Sequence, residues 1–250
     1  MSMTIVISGK GGTGKTTIAT LLIQILSQRG IVLAIDGDPS SNLNMSLGLP
    51  LGDTIGSVRE EIATSGDKLS PGIPKQDYFE LKIQQSLVES PRIDLLAMGR
   101  PEGPGCYCAA NNMLRASIDR IAGNYEYTVI DSEAGMEHIS RQTIRDVDIL
   151  LVISDVSMRG IITAARMKEL IGELRSHVGR VSLVVNRVLD KLPSEIERAI
   201  EGYGLELIGT LPEDPELSHL EIKGAPLSEL PQDSPIRRGV LGIAERLGLV

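Results

Sequence analysis

The stretch GKGGTGKTT, from Gly9 to Thr17, is the part of the chain most plainly built for chemistry. Gly9, Gly14, Lys15 and Thr16 satisfy the phosphate-loop pattern G-x-x-x-x-G-K-[ST]. Glycines at such spacing let the backbone curl, so that successive N–H groups of Gly11, Gly12, Thr13, Gly14 and the residues after them point inward at phosphate oxygens. The first turn of a following helix adds its partial positive charge. Lys15 would reach the outer phosphates, Thr16 would present a hydroxyl to Mg²⁺, and Thr17 lies one step further into the helix. A second lysine, Lys10, opens the loop and is not required for holding a nucleotide. The other conspicuous residues are the chain's two cysteines, Cys106 and Cys108, set in GPGCYCAANN with only Tyr107 between them. An i, i+2 pair closes too small a ring for a good disulfide. Two adjacent thiolates make half of a four-sulfur site, which suits tetrahedral Zn²⁺ or planar Ni²⁺, and ligand type alone does not choose between the two. Two thiols can also pack as small apolar side chains.

Groups of this kind need a rigid edge to sit on. The runs MTIVIS, IVLAID, IDLLAM, YTVIDS, DILLVIS and VSLVVN are short, β-branched and almost uninterrupted, as strands buried on both faces should be. Between them Ile18, Leu21, Leu22, Ile25 and Leu26 form a helical stripe. Another runs through Ile161, Ala165, Met167, Leu170, Ile171 and Leu174, with a helix stop expected at His177 and Gly179. The alternation predicts an α/β fold: a mainly parallel central sheet flanked by helices, with ligands at the carboxyl ends of the strands. Residues 1–250 are expected to form a single domain, with a helical insertion around 50–91, where IGSVREEIATSG and FELKIQQSLVES read as helices separated by PGIPKQ.

Composition narrows the functions. Hydrophobic residues make up 42% of the 250 and charged residues 23%, as in an ordinary globular protein, and with 5 Tyr, 1 Phe and no Trp the core must be aliphatic. A net charge of −8 argues against nucleic acid or anionic membrane as a partner. MSMTIVISGK has neither a charged leader nor a long apolar run, so a cytoplasmic location is expected, where thiols stay reduced.

With Lys10, the loop resembles the deviant Walker A signature of the MinD, ParA and nitrogenase-iron-protein superfamily, the P-loop NTPases of dimeric habit. The resemblance implies a homodimer in which Lys10 crosses to the partner's nucleotide and acts as a trans-acting cation on the transferring phosphoryl group. It also implies that Lys10, Lys15, Asp38 and Asp131 are catalytic and that Thr16, Asp38 and Asp131 form the Mg²⁺ set. Asp38 would place the attacking water, Asp131 would hold the metal through its water shell, and Gly135 would be the switch II glycine. Asp36 falls beside the phosphates at the end of its strand. Asn186 resembles the adenine-binding asparagine, next to Arg187, and GTLPEDPEL, with Pro212, Glu213 and Asp214, resembles the purine-facing loop. ATP and ADP are the implied ligands.

GPGCYCAANNMLRA and DSEAGMEHISRQT together resemble the CooC family of nickel-insertion ATPases. That likeness implies Ni²⁺ or Zn²⁺ caged at the dimer interface by Cys106 and Cys108 of both subunits, and delivery to a client enzyme, carbon monoxide dehydrogenase or acetyl-CoA synthase. Glu133 is left without a role, and His138 reads as a structural histidine. Two other functions fit parts of the pattern. One is an iron–sulfur redox ATPase like the nitrogenase iron protein, against which the adjacency of the thiols counts. The other is a MinD- or ParA-like positioning ATPase, for which the terminal stripe Ile236, Val240, Ile243 and Leu247 could imitate a membrane-binding helix; its alternative is a closing helix packed on the sheet.

Overall fold

The computed structural model describes residues 2–65, 75–99, 116–133, 146–173 and 177–250. Strands β1 (Met3–Gly9), β2 (Val32–Asp36), β3 (Ile93–Ala97), β4 (Tyr127–Asp131), β5 (Asp146–Ser154), β6 (His177–Val188) and β7 (Leu207–Pro212) form one sheet in the order β3-β2-β4-β1-β5-β6-β7. Every neighbouring pair in it is parallel. Parallel pairing aligns all the carboxyl ends along one edge, and the register sets Ile7 of β1 and Asp36 of β2 on either side of Asp131.

The alternation of side chains along the strands feeds two cores. Ile5 and Ile7 of β1, Val32 and Ala34 of β2 join one face; Val6, Leu33 and Ile35 join the other. The first face is covered by α1 (Lys15–Leu26), α2 (Leu43–Leu47), α8 (Pro215–Lys223), a 3₁₀ turn at Leu227–Glu229 and α9 (Pro235–Arg246). The second is covered by α3 (Ile55–Ser65), α4 (Lys75–Gln85), α5 (116–122), α6 (Met158–Glu173) and α7 (Ser194–Gly202). Each fully buried aliphatic side chain contributes roughly 1.5–3 kcal/mol over leaving it exposed, which is how a chain so poor in aromatics holds two cores.

The six strand runs and the first helical stripe appear where the sequence put them, as does the second except that Leu170 is exposed and Leu174 lies outside the described residues; there are three further differences. LIGTLP forms a seventh strand, β7, not anticipated because Gly209 interrupts it and Pro212 ends it on an edge. The expected helix stop at His177 and Gly179 is instead the opening of β6; α6 is described as far as Glu173. Gly179 is needed there because a Cβ would lie 2.8 Å from the Asp148 carbonyl oxygen of the adjoining strand. Within 50–91, α4 ends at Gln85 rather than running on through LVES, and Val88 makes a single antiparallel bridge to Leu95 on the outer edge of β3.

The terminal stripe is a packed one. Pro at the first turn of α9 and the Ser234 cap start the helix, and Ile236, Val240 and Ile243 are each 1% exposed, lying against β7 and α1. No helix of the described residues is long and apolar enough to cross a membrane. Ile243→Ala is expected to cost about 2–5 kcal/mol, read as a lower urea midpoint at unchanged m-value. A midpoint equal to that of the wild type would mean that the stripe is not part of the core.

Candidate functional site

β1 delivers Gly9 to the carboxyl edge in a conformation (φ +152°) where a Cβ would lie 2.2 Å from the Ile153 carbonyl oxygen. The turn after it uses left-handed Gly12 and Gly14 before α1 begins at Lys15. The Lys10 carbonyl braces the turn from inside, accepting from Thr13 Oγ1 at 2.9 Å and from Lys15 Nζ at 3.3 Å. Burial lowers the Lys15 pKa, against the opposing pull of Asp131, Asp38 and Glu133. Lys10 itself points elsewhere: its ammonium lies 4.0 Å from Asp155 beyond β5, and its side chain is 47% exposed.

Thr16 Oγ1 donates to Asp131 Oδ2 at 2.6 Å, joining the first turn of α1 to the end of β4. Burial pushes Asp131 up to about 7; the Thr16 hydrogen bond resists this, and the neighbouring Asp36 adds to it. Its other oxygen, Oδ1, is buried with no hydrogen-bond partner among the described residues. A hydroxyl and a carboxylate with one oxygen to spare are hard oxygen donors of the kind Mg²⁺ takes, so these residues fit that ion.

Asp36, expected beside the phosphates, has a structural task that the sequence did not show. The residue is 1% exposed, and its carboxylate accepts from the backbone N–H of Asp38 at 3.0 Å and of Leu43 at 2.9 Å, hooping the loop between β2 and α2. Burial raises its pKa, with these two bonds opposing. Within the hoop Asp38 accepts from Ser40 N at 2.8 Å, and Ser41 takes a left-handed conformation (φ +48°). The loop is thus held close to the phosphate turn by a residue outside it.

A cavity of about 230 Å³ opens beside Gly14. Asn186, Arg187, Pro212, Glu213 and Asp214 all line it, so the structure gathers the residues expected at the purine. Asn186 Nδ2 donates to the Thr13 carbonyl at 2.9 Å and its Oδ1 accepts from Arg187 N at 2.9 Å, leaving one N–H and one lone pair of the amide available. Arg187 is left-handed (φ +60°), at the irregularity where the β6–β7 register shifts between Val185 and Val188. Asp214 lines the cavity with a carboxylate already engaged: burial alone would raise its pKa, but bonds from Ser234, Ile236, Leu217 and Glu216 hold it below the usual value.

The second half of this cavity is not legible in the sequence. Leu217, Ser218 and Glu221 of α8 and Ile236 of α9 form its far walls, and Thr17 Oγ1 donates to Glu221 Oε1 at 3.2 Å, linking α1 to α8. The only local signals were the paired cap motifs Asp214-Pro215 and Ser234-Pro235, which announce helix starts without saying that the two helices meet. Cys106, Cys108, Gly135 and His138 lie outside the described residues.

The profile of the family described as the CobQ/CobB/MinD/ParA nucleotide binding domain matches residues 4–227. An uncharacterised ATP-binding protein of Methanocaldococcus jannaschii is 44% identical, over 98% of this chain and 98% of its own. The carbon monoxide dehydrogenase accessory protein CooC of Rhodospirillum rubrum is 31% identical, over 85% of this chain and 84% of its own. Among solved structures, the MinD cell division protein of Aquifex aeolicus superposes with a TM-score of 0.70 at 25% identity, covering 99% of this chain and 97% of that one.

Gly14 joins the two halves of the site. It is left-handed, and a Cβ there would lie 2.5 Å from Asn186 Nδ2. Gly14→Ala is expected to push Asn186 away and weaken ATP binding by about tenfold, the scale of one left-handed strain penalty. Calorimetric titration checks it; unchanged affinity would show that the loop tolerates a side chain.

Proposed function

The chain belongs to the CobQ/CobB/MinD/ParA family and is a nucleotide-binding ATPase, and on that premise we propose that it works as a homodimeric metallochaperone that carries Ni²⁺ or Zn²⁺ to a nickel enzyme. Carbon monoxide dehydrogenase or acetyl-CoA synthase is the proposed client, supported by the 31% identity to CooC. The observation that carries the reading is the adjacency of Cys106 and Cys108 together with that likeness, and the end of β3 is in keeping with it. Met98 N donates to the Asp36 carbonyl at 2.8 Å, so the chain that continues to Cys106 and Cys108 leaves the sheet beside the loop of Asp38.

In the proposed cycle the N–H groups of the phosphate turn and Lys15 hold the β- and γ-phosphates, and the cavity beside Asn186 takes the nucleoside. Thr16, Asp131 and Asp38 would hold Mg²⁺, which supplies charge compensation on the phosphate oxygens. Lys10 of the partner reaches the γ-phosphate when two subunits close, and both CxC pairs then meet around the cargo ion. Asp38 orients a water whose oxygen attacks the γ-phosphorus; the bond to the β-phosphate oxygen breaks, giving ADP and inorganic phosphate. Loss of the γ-phosphate removes the contact that Lys10 made, and the closed dimer is no longer favoured.

The likeness to MinD supports a second reading, a positioning ATPase that cycles on a surface. Against its membrane form stands α9, whose apolar stripe lies in the core and cannot also enter lipid.

Lys10→Ala is expected to lower turnover by roughly 10³-fold or more, while ATP still binds by calorimetry; full activity would remove the cross-subunit role. Anaerobic Ni²⁺ and Zn²⁺ titration, with subunit mass followed under ADP and ATP, should give one ion per dimer. Replacing Cys106 and Cys108 by Ser should abolish uptake and spare ATP binding. Retained uptake, or an ion bound by a lone subunit, would overturn the chaperone assignment.

A further inference from the structure

The two far walls of the cavity are hung on one carboxylate. Asp214 Oδ1 accepts from the backbone N–H of Glu216 at 3.0 Å and of Leu217 at 3.4 Å, which caps α8. Its Oδ2 accepts from Ser234 Oγ at 2.7 Å and from Ile236 N at 3.3 Å, which reaches the start of α9. Ser234 in turn caps α9 by accepting from Arg237 N at 3.3 Å. Asp214 is 3% exposed and Ser234 4%. A carboxylate offers about four lone-pair sites, and here four donors occupy them. It therefore has no capacity left for a ligand, although it borders the cavity.

What it does instead follows from the helices it joins. Leu217, Ser218 and Glu221 stand on α8 and Ile236 stands on α9, so the distance across this side of the cavity is set by how the two helix starts are held together. The phosphate turn is braced independently, by the Lys10 carbonyl and by Asn186. We infer that the Asp214–Ser234 pair is a clasp that positions the nucleoside-binding walls, and so governs affinity for the nucleoside part of ATP separately from affinity for its phosphates. This rests on the reading that the cavity takes the nucleoside. Asp214 is on this account a positioning residue, and Ser234, which does not line the cavity, belongs to the site with it.

The test compares binding of ATP and of inorganic tripolyphosphate, each with Mg²⁺, to wild type, Ser234→Ala and Asp214→Asn, with an unfolding curve for each protein. Loss of a cap is expected to weaken ATP binding about fivefold in Ser234→Ala. With more of the clasp broken, about tenfold or more is expected in Asp214→Asn. Tripolyphosphate affinity should stay within about twofold of wild type in both. A general loosening of the fold would weaken both ligands alike, and that outcome, or unchanged ATP affinity in Ser234→Ala, overturns the clasp. Should Asp214→Asn fail to fold, Ser234→Ala decides alone, because a direct ligand role for Asp214 predicts no effect there. A wild-type protein that binds ATP no better than tripolyphosphate would overturn the nucleoside assignment itself, and the clasp with it.

Discussion

Two carboxylates buried on neighbouring strands constrain everything at the carboxyl edge. Asp36 and Asp131 are register partners, each 1% exposed, and placing two acids side by side out of water is costly unless each is satisfied. The fold answers the two differently. Asp36 is given two backbone N–H groups from the loop that follows it, so its cost is offset by structure. Among the described residues Asp131 is given only the Thr16 hydroxyl on one oxygen and is left with the other unpartnered. The first arrangement fixes a loop; the second leaves an acceptor waiting beside Lys15.

The same economy of contacts joins the phosphate turn to the cavity beside it. Asn186 braces Thr13 from β6, and the bare Cα of Gly14 is what allows it so close. Thr17 reaches Glu221 from the next turn of α1. A nucleotide spanning both regions would therefore meet adjoining surfaces, drawn from α1, β6, α8 and α9, that are held by separate contacts. Within them the clasp at Asp214 and the brace at Asn186 act on different walls, and so binding energy from the two ends of the ligand can be separated.

How much of this was legible depends on the range of the interaction that carries it. The phosphate turn could be read because its chemistry lies in consecutive residues, and six strands because burial on both faces leaves unbroken apolar runs. β7 escaped notice because its burial is partial and a glycine and a proline interrupt the run. Gly179 looked like a helix stop because nothing local distinguishes that from a strand glycine pressed against the Asp148 carbonyl. Asp36 stands at the strand end where the sequence put it, but its partner Leu43 lies seven residues on, and Ser234 is twenty residues from Asp214. Such pairings are made by the packing of helices on the sheet, which periodicity does not specify. Cys106 and Cys108 lie outside the described residues, and their assignment stands on their adjacency and on the likeness to CooC.

The state of Lys10 bears on how a closed dimer could form at all. Its carbonyl is a shared acceptor for Thr13 and Lys15, while its ammonium is only loosely held, 4.0 Å from an Asp155 side chain that is itself 36% exposed. A surface pair of that kind is worth about 0–1 kcal/mol. Drawing Lys10 away from Asp155 toward a partner's phosphate thus costs little, whereas the backbone of the same residue stays fixed by its role in the turn. Anchored main chain and weakly held side chain are the combination a cation needs if it is to leave one subunit without disturbing the phosphate turn it comes from.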